Sequence, residues 1–312
     1  MKRRRSANND PAAAIESAVV ELSRTAQGRR TLGVLAALAV VLLIAWQGWL
    51  FWQNHRRPRH PVGPAVRVAT WNLRQFSERR SVDLRAVAEV IRASSFDVLA
   101  VQEVKRRGEA VDALLNELGP PWRATSISDV TGNHERFVFL YNGDHVQELG
   151  DAHFVESSQS SVFDRWPYQA SFRAGQFDFT LVTVHLSFED RARRRRETDA
   201  LVDVAREVAA SSAEKDVIVL GDFNAGKPDA LSAFARAGWV SLNHDPTNLG
   251  SSEVYDTLLI DPAPTREWNG AAGAVSFDDI LPQYRDDRTA REHVSDHRPA
   301  YADFVTTLPD DD

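Results

Sequence analysis

Cysteine is absent from this chain of 312 residues. Its absence excludes a disulfide-stapled scaffold, a thiol nucleophile, thiolate zinc sites and iron–sulfur clusters. A Gly-rich phosphate loop of the P-loop type is also absent from the sequence, which argues against the use of nucleoside triphosphates. With 43% hydrophobic and 26% charged residues, the composition is that of a globular protein, and the length predicts one large domain with an appendage.

Charge is distributed unevenly along the chain. Residues 1–60 hold ten Lys and Arg against three Asp and Glu, a net charge of +7, whereas the remainder holds 27 against 41, a net charge of −14. An acidic body does not favour passive, tight binding of nucleic acid, because such binding depends on neutralising phosphates. It is compatible with an enzyme that recruits divalent cations through carboxylates.

The N-terminal part contains one long apolar run. Residues 31–54 include no charged side chain, and three Trp residues gather at one end of the run, as they do at membrane interfaces. Because about 20 apolar residues span a bilayer as a helix, we predict a basic tail over 1–30, a transmembrane helix over 31–53 and a Pro/Arg-rich linker over 54–65. A secretory signal peptide is the alternative, although the run is long for one and no small-residue cleavage motif precedes the folded part.

The orientation of this helix is less strongly marked than its presence. Arginines lie on both sides of the apolar run, so the positive-inside rule is close to balanced. A basic tail of thirty residues is difficult to translocate, which favours the tail inside and the large domain outside. We expect a single-pass protein of the bacterial inner membrane, with the large domain outside the cytoplasm and an acidic tail over 307–312.

Beyond the linker, the hydrophobic pattern predicts more strands than helices. Helices are predicted to begin near Ser81 and to cover 109–118, 191–210 and 229–237. Strand-like runs occupy residues 66–71, 96–104, 136–142, 168–174, 177–186, 216–224, 255–260 and 299–305. This order predicts two packed β-sheets flanked by helices.

Polar residues of only four types stand at the ends of these strands. Any one of them has an ordinary explanation, because Asn, Asp and His commonly end strands. As a set they indicate one site, since catalytic residues collect on the loops at the edge of a rigid sheet. Carboxylate and amide oxygens suit Mg²⁺ or Mn²⁺, and paired His and Asp suit proton transfer, so the types fit metal-assisted phosphodiester hydrolysis. The residues are Asn72, Glu103, His185, Asp222, Asn224, Asp256, Asp296 and His297.

The ordered series TWNLRQF, VLAVQEV, VTVHL, VLGDFNA, VYDTLLI and VSDHRPAY resembles the endonuclease/exonuclease/phosphatase superfamily of metal-dependent phosphoesterases. Within that superfamily the chain is most similar to deoxyribonuclease I, a resemblance also carried by HERFVFLY around Glu135 and by the pair Tyr255 and Asp256. The resemblance implies an α/β fold over residues 66–306, a four-layered sandwich of two sheets with the active site at one edge.

The resemblance also implies how metal and substrate would bind. Asn72, Glu103 and Asp296 would form the Mg²⁺ environment, with Mn²⁺ as a substitute and Ca²⁺ as an accessory ion. Lys105 stands where the family has a groove-contacting Arg, and Lys105 and Arg165 are the candidate substrate contacts.

Two histidines carry the implied chemistry. His185 and His297 would flank the scissile phosphate, and an acidic partner would orient each ring and favour its protonated form. Glu135 would be the partner of His185 and Asp256 the partner of His297. Two further residues would bind or position the attacking water and the phosphate, Asp222 and Asn224. The general base stays unassigned.

Our leading interpretation is a membrane-anchored, metal-dependent endonuclease that hydrolyses DNA as a monomer. The alternative is a phosphoesterase acting on a lipid or inositol phosphate headgroup, as a sphingomyelinase or a phosphoinositide phosphatase does. A catalytically inactive adaptor with the same fold is a third interpretation, against which the completeness of the site argues. The family's disulfides are missing, and Asn133 stands near the position of a Tyr used against DNA, so the strand preference stays open. The arginines at 193–196 suit a phosphate backbone, anionic lipid or a solvated helix start.

Overall fold

The computed structural model describes residues 63–309 apart from 79, 213 and 227, together with Val34 and Leu42. The predicted basic tail, the predicted transmembrane helix apart from Val34 and Leu42, and most of the predicted linker lie outside the described residues, as does the end of the acidic tail. Within the described part, no helix is both long enough and apolar enough to cross a bilayer. Membrane attachment therefore stays a prediction from the sequence.

Twelve strands and six α-helices make up the described part of the domain. In chain order they are β1 (Ala65–Phe76), α1 (Leu84–Ala93), β2 (Val98–Val104), α2 (Glu109–Leu118), β3 (Trp122–Ala124), β4 (Arg136–Asn142), β5 (Gln147–Phe154), β6 (Tyr168–Ala174), β7 (Phe177–His185), α3 (Arg191–Ser211), β8 (Val217–Asp222), α4 (Ser232–Arg236), β9 (Val240–Ser241), β10 (Asp256–Ile260), β11 (Trp268–Ala274), α5 (Phe277–Ile280), α6 (Asp287–His293) and β12 (Ala300–Val305).

The strands form two six-stranded sheets, in the orders β11-β12-β1-β2-β4-β3 and β5-β6-β7-β8-β10-β9. Each sheet has one parallel pair at its centre, β1 with β2 and β7 with β8, and antiparallel neighbours elsewhere. The carboxyl ends of two parallel strands lie at the same edge of a sheet. The residues that end β1 and β2 are thereby neighbours, as are those that end β7 and β8.

Hydrophobic side chains form three layers of core. Phe139 of β4 and Phe172 of β6 belong to the layer between the two sheets, where their rings meet edge to face with centroids 5.8 Å apart. Val87 of α1 packs on the outer face of the first sheet, and Leu201 of α3 packs on the outer face of the second. The order helix, sheet, sheet, helix confirms the predicted two-sheet α/β sandwich.

Two of the strands that the pattern did not predict are irregular. Strand β5 has Gly150 and Asp151 at its centre and a break in pairing register between Leu149 and His153. Strand β11 is rich in Gly and Ala and has a similar break. The predicted helix over 229–237 is a 3-10 turn (Pro228–Leu231) followed by the short α4.

Gly221 allows two strands to approach closely next to the predicted site. Its φ is +141°, and a Cβ atom placed on it would lie 2.1 Å from the carbonyl oxygen of Val184 in β7. Only glycine fits this position, because any side chain would collide with the neighbouring backbone. Asp222 follows directly, so the close approach sets the place of that carboxylate relative to β7.

Candidate active site

The strand ends of both sheets open into one cavity of about 930 Å³. Nine of the predicted residues line it: Asn72, Glu103, Glu135, Arg165, His185, Asp222, Asn224, Asp296 and His297. Asp256 is fully buried behind His297, with which it is hydrogen-bonded. The structure therefore brings together residues that are separated by more than two hundred positions in the chain.

The first histidine pair joins the two sheets. His185 ends β7, and its Nδ1 donates to Oε2 of Glu135, just before β4, at 2.7 Å. Burial alone would lower the pKa of His185, but the hydrogen bond to Glu135 and the charge of Asp222 outweigh it and raise that pKa. Burial alone would raise the pKa of Glu135, but the bond from His185 and the charges of His185, Arg165 and Lys105 lower it to about 2.

The second histidine pair has the same form. His297 donates from Nδ1 to Oδ2 of Asp256, the first residue of β10, at 2.7 Å. Burial would lower the pKa of His297, but the charges of Asp256 and Asp222 and the hydrogen bond to Asp256 raise it to about 10. The surroundings of the ring therefore favour its protonated form. The other oxygen of Asp256, Oδ1, is buried and has no hydrogen-bond partner among the described residues.

Asp222 lies between the two imidazoles. Its Oδ2 is 3.5 Å from Nε2 of His185 and 3.7 Å from Nε2 of His297, and it accepts a hydrogen bond from Nδ2 of Asn72 at 3.0 Å. Its Oδ1 accepts from the backbone N–H of Asn224 at 2.9 Å. Two imidazole–carboxylate pairs thus point their free nitrogens at one buried carboxylate.

The structure also contains two groups of side chains whose oxygen and nitrogen atoms could act as ligands of a divalent cation. Among the described residues, one group consists of Glu103, Glu135 and His185, with ligand atoms all within 4.8 Å of one another. A second consists of Asp222, Asp256 and His297. Carboxylate oxygens are the ligands that Mg²⁺ prefers, and the buried oxygen of Asp256 without a partner is the kind of atom a cation satisfies.

The predicted metal residues are arranged around Glu103. Asn72 donates from Nδ2 to Oε1 of Glu103 at 2.9 Å, and the backbone N–H of Gln75 donates to Oε2 at 2.7 Å. Asp296 lies on the cavity wall, where its Oδ2 is 3.4 Å from Nε of Arg74. Of the predicted metal ligands, Glu103 thus belongs to the first of these two groups of possible ligands. The hydrogen bond from Asn72 holds its carboxylate in place.

Backbone strain is concentrated at these strand ends. Gln75, Glu103 and Asn224 adopt φ angles of +48°, +60° and +49°, which lie in the left-handed region that non-glycine residues seldom occupy. Such conformations cost about 1–3 kcal/mol each and persist where surrounding contacts impose them. Here the contacts are the Gln75–Glu103 and Asn224–Asp222 hydrogen bonds and a third from Asn224 Nδ2 to the carbonyl of Leu186.

The two predicted substrate contacts bind protein groups. Lys105 donates from Nζ to the carbonyl oxygen of Asn133 at 3.0 Å and to Glu135 at 3.3 Å. Arg165 is buried, and it donates from Nε to the carbonyl oxygen of His185 at 2.6 Å and from a terminal nitrogen to that of Leu186 at 2.9 Å. Both cations therefore hold the first histidine pair in place, and Arg165 also lines the cavity.

Two supporting residues were missed by the analysis of strand ends. Glu197 on α3 is buried and accepts from the backbone N–H groups of Asp164 and Ser187. The sequence feature that indicates its burial is its position four residues before Leu201, on the same apolar face of the helix. Ser295 donates to the carbonyl oxygen of Asn72 at 2.6 Å and accepts from the N–H of His297, so it ties the end of β1 to the second histidine.

Comparisons with known proteins agree with this geometry. The chain is 30% identical over 266 residues to a deoxyribonuclease of Thioalkalivibrio sp. (strain K90mix), covering 77% of this chain and 71% of that protein. It is 26% identical over 255 residues to deoxyribonuclease-1 of Homo sapiens, covering 77% and 79%. A solved endonuclease/exonuclease/phosphatase structure from Bacteroides vulgatus has the same fold, with a TM-score of 0.58, 18% identity and coverage of 77% and 98%. The Endonuclease/Exonuclease/phosphatase family profile matches residues 69–297, and the chain belongs to this family.

Proposed function

We propose that this protein is a membrane-anchored, divalent-metal-dependent phosphodiesterase that hydrolyses DNA. The observation that carries the proposal is the convergence of His185 and His297 on Asp222, in an open cavity that also contains Glu103. Relatives named deoxyribonuclease, at 26–30% identity, support the choice of substrate. The apolar run at 31–53 supports the membrane anchor. The basic tail before it favours the placement of the domain outside the cytoplasm.

The arrangement supplies the groups that phosphodiester hydrolysis needs. Protonated His185 and His297 donate from Nε2 to phosphate oxygens, and one of them passes its proton to the leaving oxygen. Asp222, between the two rings, is placed to accept a proton from the attacking water. Asn224 fixes the carboxylate of Asp222 through its backbone N–H. A divalent cation bound at Glu103 would neutralise charge on the phosphate.

The surroundings of the cavity favour a polynucleotide over a lipid headgroup. Arg74, Arg288 and Arg291 line an adjoining cavity of about 480 Å³, and Arg291 also lines the central one. Arg193 stands on the wall of the central cavity as well, where it pairs with Asp164 at 3.3 Å. Cationic groups beyond the reaction centre suit a chain of phosphates, which needs contacts on both sides of the bond that is cut.

The test is a substrate panel on the full-length chain with Mg²⁺, with Mn²⁺ and with EDTA. We expect nicking of supercoiled plasmid that EDTA abolishes and Mg²⁺ restores. Glu103→Gln should lower the rate about 100-fold or more while the protein stays folded, because one charge-stabilising group is lost. Glu89→Gln, on the exposed face of α1, is the matched control and should be neutral. Hydrolysis of sphingomyelin or phosphoinositide vesicles without cleavage of DNA would overturn the proposal in favour of the lipid alternative.

A further inference from the structure

A second cavity opens beside the catalytic one, and the chemistry described above does not use it. Its volume is about 440 Å³, within the range of about 300–1,000 Å³ that is usual for ligand sites. Phe188, Asn224 and Tyr255 line both cavities, so the two are contiguous. The first turns of α3 form much of the remaining wall. We call this cavity the side pocket.

Arginines of α3 give the side pocket a cationic wall. Arg191, Arg194 and Arg195 line it. Arg194 donates to the carbonyl oxygens of Ser187 and Phe188 and thereby builds the wall itself. Arg191 and Arg195 are exposed, and neither forms an ion pair with any residue that the structure describes. They are therefore free to bind an anion.

The two acidic residues that line the side pocket already have partners. Asp199 lies 3.9 Å from a terminal nitrogen of Arg236. Glu253 accepts a hydrogen bond from Oη of Tyr255 at 2.5 Å. Neither carboxylate pairs with Arg191 or Arg195 among the described contacts, so the charge offered to a ligand by this wall is positive.

Aromatic rings connect the side pocket to the reaction centre. The rings of His297 and Tyr255 have centroids 5.9 Å apart, and the ring of Phe188 stands edge-on to Tyr255 at 6.5 Å. Phe188 is 62% exposed, so its ring is accessible from solvent at the rim of the catalytic cavity. An exposed aromatic ring beside arginines that form no ion pair is a combination that binds single-stranded nucleic acid. The base stacks on the ring, and the arginines bind the phosphates.

We propose that the side pocket binds the nucleotide next to the scissile phosphate on an unpaired DNA strand. The base stacks on Phe188, and the neighbouring phosphate binds to Arg191 and Arg195. A base presents its face to a side chain only when it is unstacked from its neighbours, so the pocket selects single-stranded over duplex substrate. This inference rests on the proposed function, since it requires that the cavity at Asp222 hydrolyse a polynucleotide.

The test compares binding and turnover in three variants of the full-length chain. Phe188→Leu removes the ring and keeps an apolar side chain, Phe188→Trp keeps a ring, and Arg191→Ala/Arg195→Ala removes the two unpaired cations. Arg206→Ala is the matched control, because Arg206 is an exposed arginine of the same helix that pairs with Asp203 and does not line the pocket. The binding probe is fluorescein-labelled dT8, followed by anisotropy in EDTA. The turnover probes are a single-stranded oligonucleotide, its duplex and bis(p-nitrophenyl) phosphate, a diester without a neighbouring phosphate.

We expect Phe188→Leu and the double arginine variant to raise the dissociation constant for dT8 and the KM for single-stranded DNA by about 5- to 100-fold, as loss of a stacked base or of phosphate contacts does. Phe188→Trp and Arg206→Ala should behave as wild type on DNA, and Arg206→Ala should also leave the turnover of bis(p-nitrophenyl) phosphate unchanged. Unchanged binding and KM, or equal losses on duplex and single strand, would overturn the inference while the proposed function stands. A wild-type protein that hydrolyses bis(p-nitrophenyl) phosphate but neither binds nor cleaves DNA would overturn both.

Discussion

Replacing either histidine of the proposed reaction centre, His185 or His297, with alanine should remove most of the activity, and replacing both should cost little more than the larger single loss. The structural reason is that Nε2 of His185 and Nε2 of His297 lie 3.5 and 3.7 Å from the same oxygen of Asp222. A phosphate bound beside Asp222 would therefore contact Nε2 of both imidazoles at once. When one ring is missing, the remaining ring can no longer complete the charge distribution that the reaction needs.

The expected magnitudes separate a shared site from two independent ones. A positioned acid or base contributes about 10²- to 10⁴-fold, so each single change should cost a factor in that range. Independent groups would multiply to about 10⁴- to 10⁸-fold in the double variant, whereas groups that act as a unit give a double loss close to the larger single one. Glu135→Gln and Asp256→Asn should each cost less than loss of the histidine it orients, because the imidazole remains.

Initial rates on bis(p-nitrophenyl) phosphate and on plasmid DNA measure these factors, and thermal unfolding shows whether each variant is folded. His244→Ala is the control, since His244 is exposed and does not line the catalytic cavity. Multiplicative losses from His185→Ala and His297→Ala would refute the shared site. Lost stability with full activity per folded molecule would show that the histidines only support the core.

Three further predictions concern the Glu135 carboxylate, the close approach at Gly221 and the N-terminal apolar run. Since the pKa of Glu135 is lowered from its usual 4.5 to about 2, the ionised carboxylate stabilises the fold above pH 4.5 and loses that effect as the pH falls toward 2. Urea unfolding should therefore show Glu135→Gln less stable by about 3 kcal/mol at pH 7 and by roughly half of that at pH 3; a pH-independent difference would contradict this. Gly221→Ala should destabilise by about 3 kcal/mol or more, and Gly150→Ala, where φ is +77° but space is open, by about 1 kcal/mol; equal melting temperatures for the two variants would contradict the close approach of β8 to β7. The full-length protein should stay in the membrane fraction through alkaline carbonate washing, and recovery of soluble protein cut near residue 50 would favour the signal-peptide alternative instead.

The regular part of this fold could be predicted from sequence because its strands are buried and uninterrupted. The runs that became β7 and β8 are almost wholly buried, and each ends in a polar residue, His185 or Asp222. Strand β5 escaped the pattern because Gly150 and a register break interrupt it. Hydrophobic periodicity reports burial, so it cannot detect an irregular strand that is mostly exposed on one side.

The site residues could be predicted in type and the contacts between them could not. Asn72, Glu103 and His185 stand out because each is a polar residue at or near the carboxyl end of a hydrophobic run. Thr247 carries no such signal, although it is fully buried and its hydroxyl accepts from the backbone N–H of Asp256 at 3.0 Å. Which loop supplies such a hydroxyl depends on the tertiary path of the chain, and local sequence does not encode that path.

The central position of Asp222 follows from strand pairing alone. In the parallel pair β7–β8, Asp222 is in register with His185, and in the antiparallel pair β8–β10 it is in register with Asp256. A strand that runs parallel contributes its last residue to this edge of the sheet, and one that runs antiparallel contributes its first. Because neighbouring residues of a strand point to opposite faces, a slip of one residue in β8 would turn Asp222 away from both histidines. Gly221 opposes such a slip, since only glycine tolerates the approach of the Val184 carbonyl at that point. The proposed reaction centre therefore depends on the register of one buried strand as much as on the residues that it presents.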